Sequence, residues 1–216
     1  MSRISFPTPE TMNAEQRQVY DAIVSGPRAR LVGPLRAALH NPELADRWQK
    51  MGALLRFGTS IPPRLSELAI LVTARRWNSQ IEWYIHATAA QVAGLPDAVI
   101  EAIRVAAKPV FNDADDAAIY EFARQLQQTG TVSENVYQEV LRVHKEAGVV
   151  EIAAIIGYYS MVSMTLNAHE IPMPDEGAIP PLSVVNHEPA GELPGAPLLT
   201  EMPAGMFVAI TEPGAV

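Results

Sequence analysis

The sequence predicts an all-α protein, a compact orthogonal bundle of about eight helices followed by an extended arm. Three observations predict it. Apolar residues recur mostly at three- and four-residue spacing as far as Leu166, and strand-like alternation is scarce. Capping residues and prolines punctuate the chain at helix-length intervals. After Ile171 the composition turns abruptly to Pro and Gly, which cannot sustain helix interiors.

Each element has its own local signals. Asn13 is placed to cap a first helix that runs through Ile23 and stops at Ser25-Gly26-Pro27. A loop from Pro27 to Pro34 leads to a short helix around Leu35 to Leu39. Asn41-Pro42-Glu43 joins a cap to a proline in the first turn and starts a helix that reaches about Phe57. Gly58 to Pro63 is a break, and Pro62-Pro63 opens the helix that carries Glu67. Trp77-Asn78-Ser79 interrupts it, and the next helix, with Glu82 and His86, stops at Gly94. Pro96 begins another that reaches about Ala107, and Asp113 caps one that reaches about Gln128. Ser133, with Asn135-Val136, begins a helix that ends before Gly148; the last runs from about Val149 to Ala168. Residues 1–170 therefore read as one helical domain and 171–216 as the arm. The arm's apolar run Met206 to Ile210 loses about 25 cal/mol per Å² if left in water, so the arm is expected to lie on the body or on a neighbouring subunit.

A chain of 216 residues can bury a sizeable core as one such domain. Its 48% hydrophobic and 19% charged fractions fit a folded chain, not a disordered one. The net charge of −8, with scattered basic residues, argues against a surface for nucleic-acid phosphates. No apolar run approaches the roughly 18–20 residues of a membrane span; Ile152 to Leu166 comes nearest and carries Tyr158 and Tyr159. Met1 to Pro7 lacks an apolar signal core, so a cytoplasmic protein without membrane or nucleic-acid partners is expected. The absence of cysteine excludes disulfides, thiol nucleophiles and cysteine-based metal sites.

The candidate chemistry sits on two otherwise apolar helices. Glu82 and His86 stand one helical turn apart and share a face, so the carboxylate can orient the imidazole or compete for its proton. Ile81, Trp83, Ile85 and Ala89-Ala90 leave these groups little polar surface, and a charge in such surroundings needs a partner or a shifted pKa. Glu67, among Leu65, Leu68 and Ile70, comes from the preceding helix and can fold back against them. Arg64 and Arg75 are candidates for a bidentate grip on a substrate carboxylate, and Trp83 and Tyr158 for lining a pocket.

The same residues carry a family likeness. Arg64-Leu65-Ser66-Glu67-Leu68-Ala69-Ile70-Leu71, then Glu82-Trp83-Tyr84-Ile85-His86, then Ala93-Gly94-Leu95, resembles the carboxymuconolactone decarboxylase family of alkylhydroperoxidase-like proteins. Gly148-Val149-Val150-Glu151 and Gly157-Tyr158-Tyr159 extend the likeness, which spans residues 47–168. The resemblance implies the alkylhydroperoxidase-like fold, a trimer or hexamer, and a small unsaturated carboxylic acid or lactone as substrate. It implies a catalytic His86 assisted by Glu82 and Glu67. Thiol-dependent members of the superfamily carry a C-x-x-C pair that would fall here on Ser79 and Glu82, so thiol peroxidase chemistry is excluded.

The implied reaction is a cofactor-independent decarboxylation, with no metal, in which His86 gives and takes the proton. Two other readings stand beside it. Glu82, His86 and a third ligand such as Glu67 could hold zinc or iron, although no H-E-x-x-H pattern is present. The cluster could also be a structural polar network in a non-catalytic ligand-binding oligomer.

Overall fold

The computed structural model describes residues 2–27, 29–173, 179–183 and 193–195. The described residues form eight helices and no strand. They are α1 (Ala14–Ser25), α2 (Pro34–Ala38), α3 (Pro42–Phe57), α4 (Pro63–Arg76), α5 (Gln80–Val92), α6 (Asp97–Arg104), α7 (Ala114–Thr129) and α8 (Glu134–Ala168).

The caps act where the sequence places them. Asn13 accepts from the Gln16 amide while the Gln16 side chain accepts from the Asn13 amide, a reciprocal capping box. Asn41 caps α3 through the Leu44 amide, and Asp113 caps α7 through the Asp115 amide. Gly130 ends α7 in the left-handed conformation that glycine adopts at least cost.

α4 is the centre of the bundle. Every residue from Glu67 to Arg75 is buried, and the helix packs against α5, α7 and α8. α1 and α2 pack on α3, which in turn meets α8. A short corner joins α4 to α5. Asn78 takes a φ of 47°, tolerated by asparagine, and Ser79 donates its amide to the Ala74 carbonyl at 2.9 Å. Asn167 of α8 donates to the Trp77 carbonyl at 2.6 Å and pins this corner.

One boundary differs from the sequence expectation: α6 ends at Arg104, because Ala106 has a φ of 56° and turns the chain out of the helix. The break expected before Gly148 falls at Lys145 (φ 59°, ψ −177°), inside α8. Gly148 lies in the helix beyond it, where a Cβ would overlap His144 and come within 3.3 Å of Ile61. The glycine serves close packing and does not stop a helix.

α8 is long and apolar enough to cross a membrane by length and composition, and half of that stretch is buried inside the described bundle against its neighbours. The described pieces of the arm lie on the helices. A proline-rich segment offers carbonyls and few amides, so side-chain donors hold it. Trp83 Nε1 donates to the Pro180 carbonyl at 2.9 Å, Arg104 to Pro181 at 3.0 Å and Arg75 to Ser183 at 2.9 Å. Tyr120 donates to the Pro194 carbonyl at 2.8 Å. Leu182 and Leu193 are buried. Met206 to Ile210 lies outside the described residues.

Gly148→Ala is expected to destabilise the protein by about 1–3 kcal/mol, the usual range for overpacking. Urea unfolding measures it, and an unchanged or higher midpoint would contradict the close approach of His144 and Ile61.

Candidate functional site

The α4–α5 corner returns the chain so that α5 lies against α4, and Glu67 meets His86 across the two helices. The Oε2 of Glu67 stands 2.6 Å from Nδ1 of His86, and the Oε2 of Glu82 stands 3.3 Å from Nε2. The imidazole is thus bridged by a carboxylate at each nitrogen. His86 is 2% exposed, Glu82 4% and Glu67 8%, so little water screens the three groups. Tyr159 sets its ring edge-on to the imidazole at 4.8 Å, and Tyr158 packs edge-on against Tyr159 at 5.2 Å.

The charges decide the protonation state. Burial drags the imidazole pKa down, but the charge and hydrogen bond of Glu67, then those of Glu82, outweigh it and lift the value to about 9. At neutral pH His86 is an imidazolium that donates from both nitrogens. Burial pushes the Tyr159 phenol well up, with Glu82 adding to it and the Arg56 charge opposing, so the phenol stays neutral.

Two spaces open onto the cluster. A cleft of about 680 Å³ is lined by Glu67 with Arg30, Arg56, Pro63, Tyr84 and Ile85 among others. A cavity of about 50 Å³, room for a water or two, is lined by Glu82 and His86 with Arg56, Tyr158 and Tyr159. Glu67 therefore faces the larger space while His86 lies behind it, and Arg56 borders both.

The structure brings together Glu67, Glu82, His86 and Tyr158. It places the other expected residues elsewhere. Arg64 reaches Asp116 at 2.6 Å and Asp113 at 3.1 Å, tying α4 to the start of α7. Arg75 is 4% exposed and donates to the carbonyls of Ser183 and Arg104. Trp83 is buried and holds the arm. The arginines at the cleft are Arg30, in the loop before α2, and Arg56, in the last turn of α3. Sequence reasoning passed over both; their only signal was a basic residue with no acidic partner at helical spacing. A metal would need donors that converge, whereas the two carboxylates sit at opposite ends of one ring. Among the described residues no group of three or more His, Asp or Glu is arranged to hold an ion.

The bridge makes stability depend on pH. The folded pKa of His86, about 9, lies above its ordinary value of 6.5. The stabilisation is therefore fully present below about pH 6.5 and is lost as pH rises towards 9, on the order of 3 kcal/mol. Urea midpoints of the wild type should fall relative to those of His86→Gln across this window, and parallel pH profiles would contradict the bridge.

No family model matches the sequence, and no curated protein gives a significant match. Solved structures do match. A peroxidase-related protein of Ralstonia eutropha JMP134, described as an alkylhydroperoxidase AhpD core, superposes with a TM-score of 0.64 at 16% identity, over 81% of this chain and 93% of that one. A peroxidase-related protein of Silicibacter sp. TM1040 gives 0.60 at 20% identity, over 89% of this chain and 96% of that one. The debrominase Bmp8, in complex with 2,3,4-tribromopyrrole, gives 0.62 at 16% identity, over 81% and 95%. These likenesses are of fold, and they agree with the architecture implied by the Arg64-to-Leu95 pattern: the chain has the alkylhydroperoxidase-like fold.

Proposed function

We propose that this chain is a small-molecule enzyme, a carboxy-lyase that uses the Glu67–His86–Glu82 bridge for proton transfer. The substrate in this reading is a small unsaturated carboxylic acid or lactone, and the setting is the cytoplasm. One observation carries the proposal: a charged imidazole is held between two buried carboxylates, one of which faces a cleft bordered by two arginines. The debrominase of the same fold is seen with a small planar ring, which supports a ligand of that size in this architecture.

The chemistry follows from the placement. Arg56 and Arg30 would grip a carboxylate that the product retains. The departing carboxylate would face Ile85, Ala89 and Val92, apolar walls that disfavour its charge and favour neutral carbon dioxide. The C–C bond breaks, carbon dioxide leaves, and the electron pair passes into the adjacent unsaturation. A proton then forms the new C–H bond. No external electron acceptor is needed, because the pair remains on the product.

Glu67 is the group that would touch the substrate, and His86 would supply it with the proton held at Nδ1. Glu82 would keep the ring oriented and balance its charge from Nε2. In this reading His86 gives and takes the proton through Glu67, since the imidazole lies behind Glu67 and borders the small cavity. Positioned acid–base groups of this kind contribute roughly 10²- to 10⁴-fold in rate.

Carboxymuconolactone is the first substrate to test, with chelator-treated protein and carbon dioxide release as the readout. Folded Glu67→Gln and His86→Gln variants should lose at least about 100-fold in kcat. Arg56→Ala should raise KM by roughly tenfold, with a smaller effect on kcat. Full activity in a folded His86→Gln variant would sink the proton-transfer reading. Activity lost to chelator and restored by a metal ion would favour the zinc or iron reading, and a ligand bound without turnover would favour a binding protein.

A further inference from the structure

We propose that the ligand of this chain is a carboxylic acid with an apolar tail of several carbons, its carboxyl end in the Glu67 cleft and its tail in a second pocket beside it. This deepens the lyase reading and rests on it, since that reading puts the reacting acid in the cleft. The second pocket holds about 460 Å³, itself the size of a ligand site. It shares Arg30, Tyr84 and Ile85 with the cleft, so the two spaces meet at a common wall. The cleft alone, about 680 Å³, is roomy for a single lactone ring.

α5 runs along both spaces. Ile81, Tyr84, Ile85, Thr88, Ala89 and Val92 recur at helical spacing and share one face. Ile81 lines the pocket, Thr88, Ala89 and Val92 line the cleft, and Tyr84 and Ile85 line both. At 1.5 Å per residue this face is about 16 Å long. A lone ring leaves most of that length to water, whereas an acid with a tail covers it.

The other walls are fixed by the backbone. Gly33 takes φ 56° and ψ −135°, a conformation open to glycine, and turns the loop into Pro34, the buried first residue of α2. Leu31, two residues earlier, packs half-buried on the core. On the opposite side Ile171 donates its amide to the Leu166 carbonyl at 3.0 Å and is itself buried. That bond closes the end of α8 and brings Pro172 and Met173 to the pocket.

The chemistry of the lining selects the tail. Among the described residues no carboxylate lines the pocket, and its charges are Arg30 and Arg36. Arg36 stacks its guanidinium over the Phe6 ring at 3.9 Å, and Arg30 stands at the wall shared with the cleft. Leu31, Val32, Ile81, Ile171 and Met173 make the remainder largely apolar. A carboxylate held by Arg30 and Arg56 therefore points its tail past Tyr84 and Ile85 into apolar surroundings. Each methylene buried there raises affinity about fourfold.

The test is calorimetric titration of the full chain with hexanoate, decanoate and decanedioate, and circular dichroism checks the fold of each variant. Decanoate is expected to bind at least tenfold more tightly than hexanoate and than decanedioate. Val32→Trp, which fills the pocket, and Met173→Glu, which charges it, alter exposed positions and should each weaken decanoate at least tenfold. Arg56→Ala should weaken it too, through the carboxylate. No decanoate binding, no chain-length preference, decanoate affinity unchanged in the folded variants, or tighter binding of the dicarboxylate overturns the proposal. The expected binding pattern without decarboxylation of any unsaturated acid would support the pocket and retire the lyase reading. Turnover of carboxymuconolactone without the chain-length preference would keep the lyase reading and overturn the pocket.

Discussion

The site rests on a charge balance that only the α4–α5 corner can supply. Two carboxylates buried within hydrogen-bonding reach of one ring would repel each other and lose their hydration, and an uncompensated pair of this kind is strongly destabilising. The imidazolium of His86 resolves the conflict by donating one proton to each. Glu82 comes within reach through helical spacing alone. Glu67 reaches the ring only because Asn78 turns left-handed and α5 folds back along α4. A three-residue corner thus determines whether a proton can be held in the core.

Much of this was legible in the sequence, for identifiable reasons. Helix ends carry their own chemistry, so Asn13, Asn41 and Asp113 cap where local signals place them. The Glu82–His86 pair follows from one turn of helix. Glu67 beside His86 was expected from a preceding helix able to fold back and from the family resemblance; the two lie 19 positions apart, so helical spacing alone does not link them. Arg30 and Arg56 were not legible. One lies in a loop and the other at a helix end, and their shared border on the cleft is set by tertiary packing. Arg64 and Arg75, expected at the substrate, are engaged away from the cleft. Asp113 and Asp116 claim one, and backbone carbonyls claim the other. Gly148 reads in sequence as a stop; the chain breaks just ahead of it, at Lys145, and the glycine itself lies where His144 and Ile61 leave no room.

The arm shows how a segment that cannot form regular structure is nonetheless tied down. Proline removes amide donors, so body side chains supply much of the bonding, and the amides of Leu182 and Ser183 donate back to Gln80 and Arg104. Trp83, Arg75, Arg104 and Tyr120 all donate to arm carbonyls. This assignment takes Trp83 and Arg75 out of the cleft and leaves its polar wall to Glu67, Tyr84, Arg30, Arg56 and Thr88. α5, the helix that carries His86, thus also anchors the arm through Trp83, so arm and cluster share one helix.

The central claim is that His86 is charged at neutral pH and donates from both ring nitrogens. Nitrogen-15 NMR of histidine-labelled protein, with His86→Gln to assign the signals, tests it most directly. Two protonated ring nitrogens are expected at pH 7, with loss of a proton only as the pH approaches about 9. A neutral imidazole at pH 7, with one nitrogen unprotonated, would contradict it.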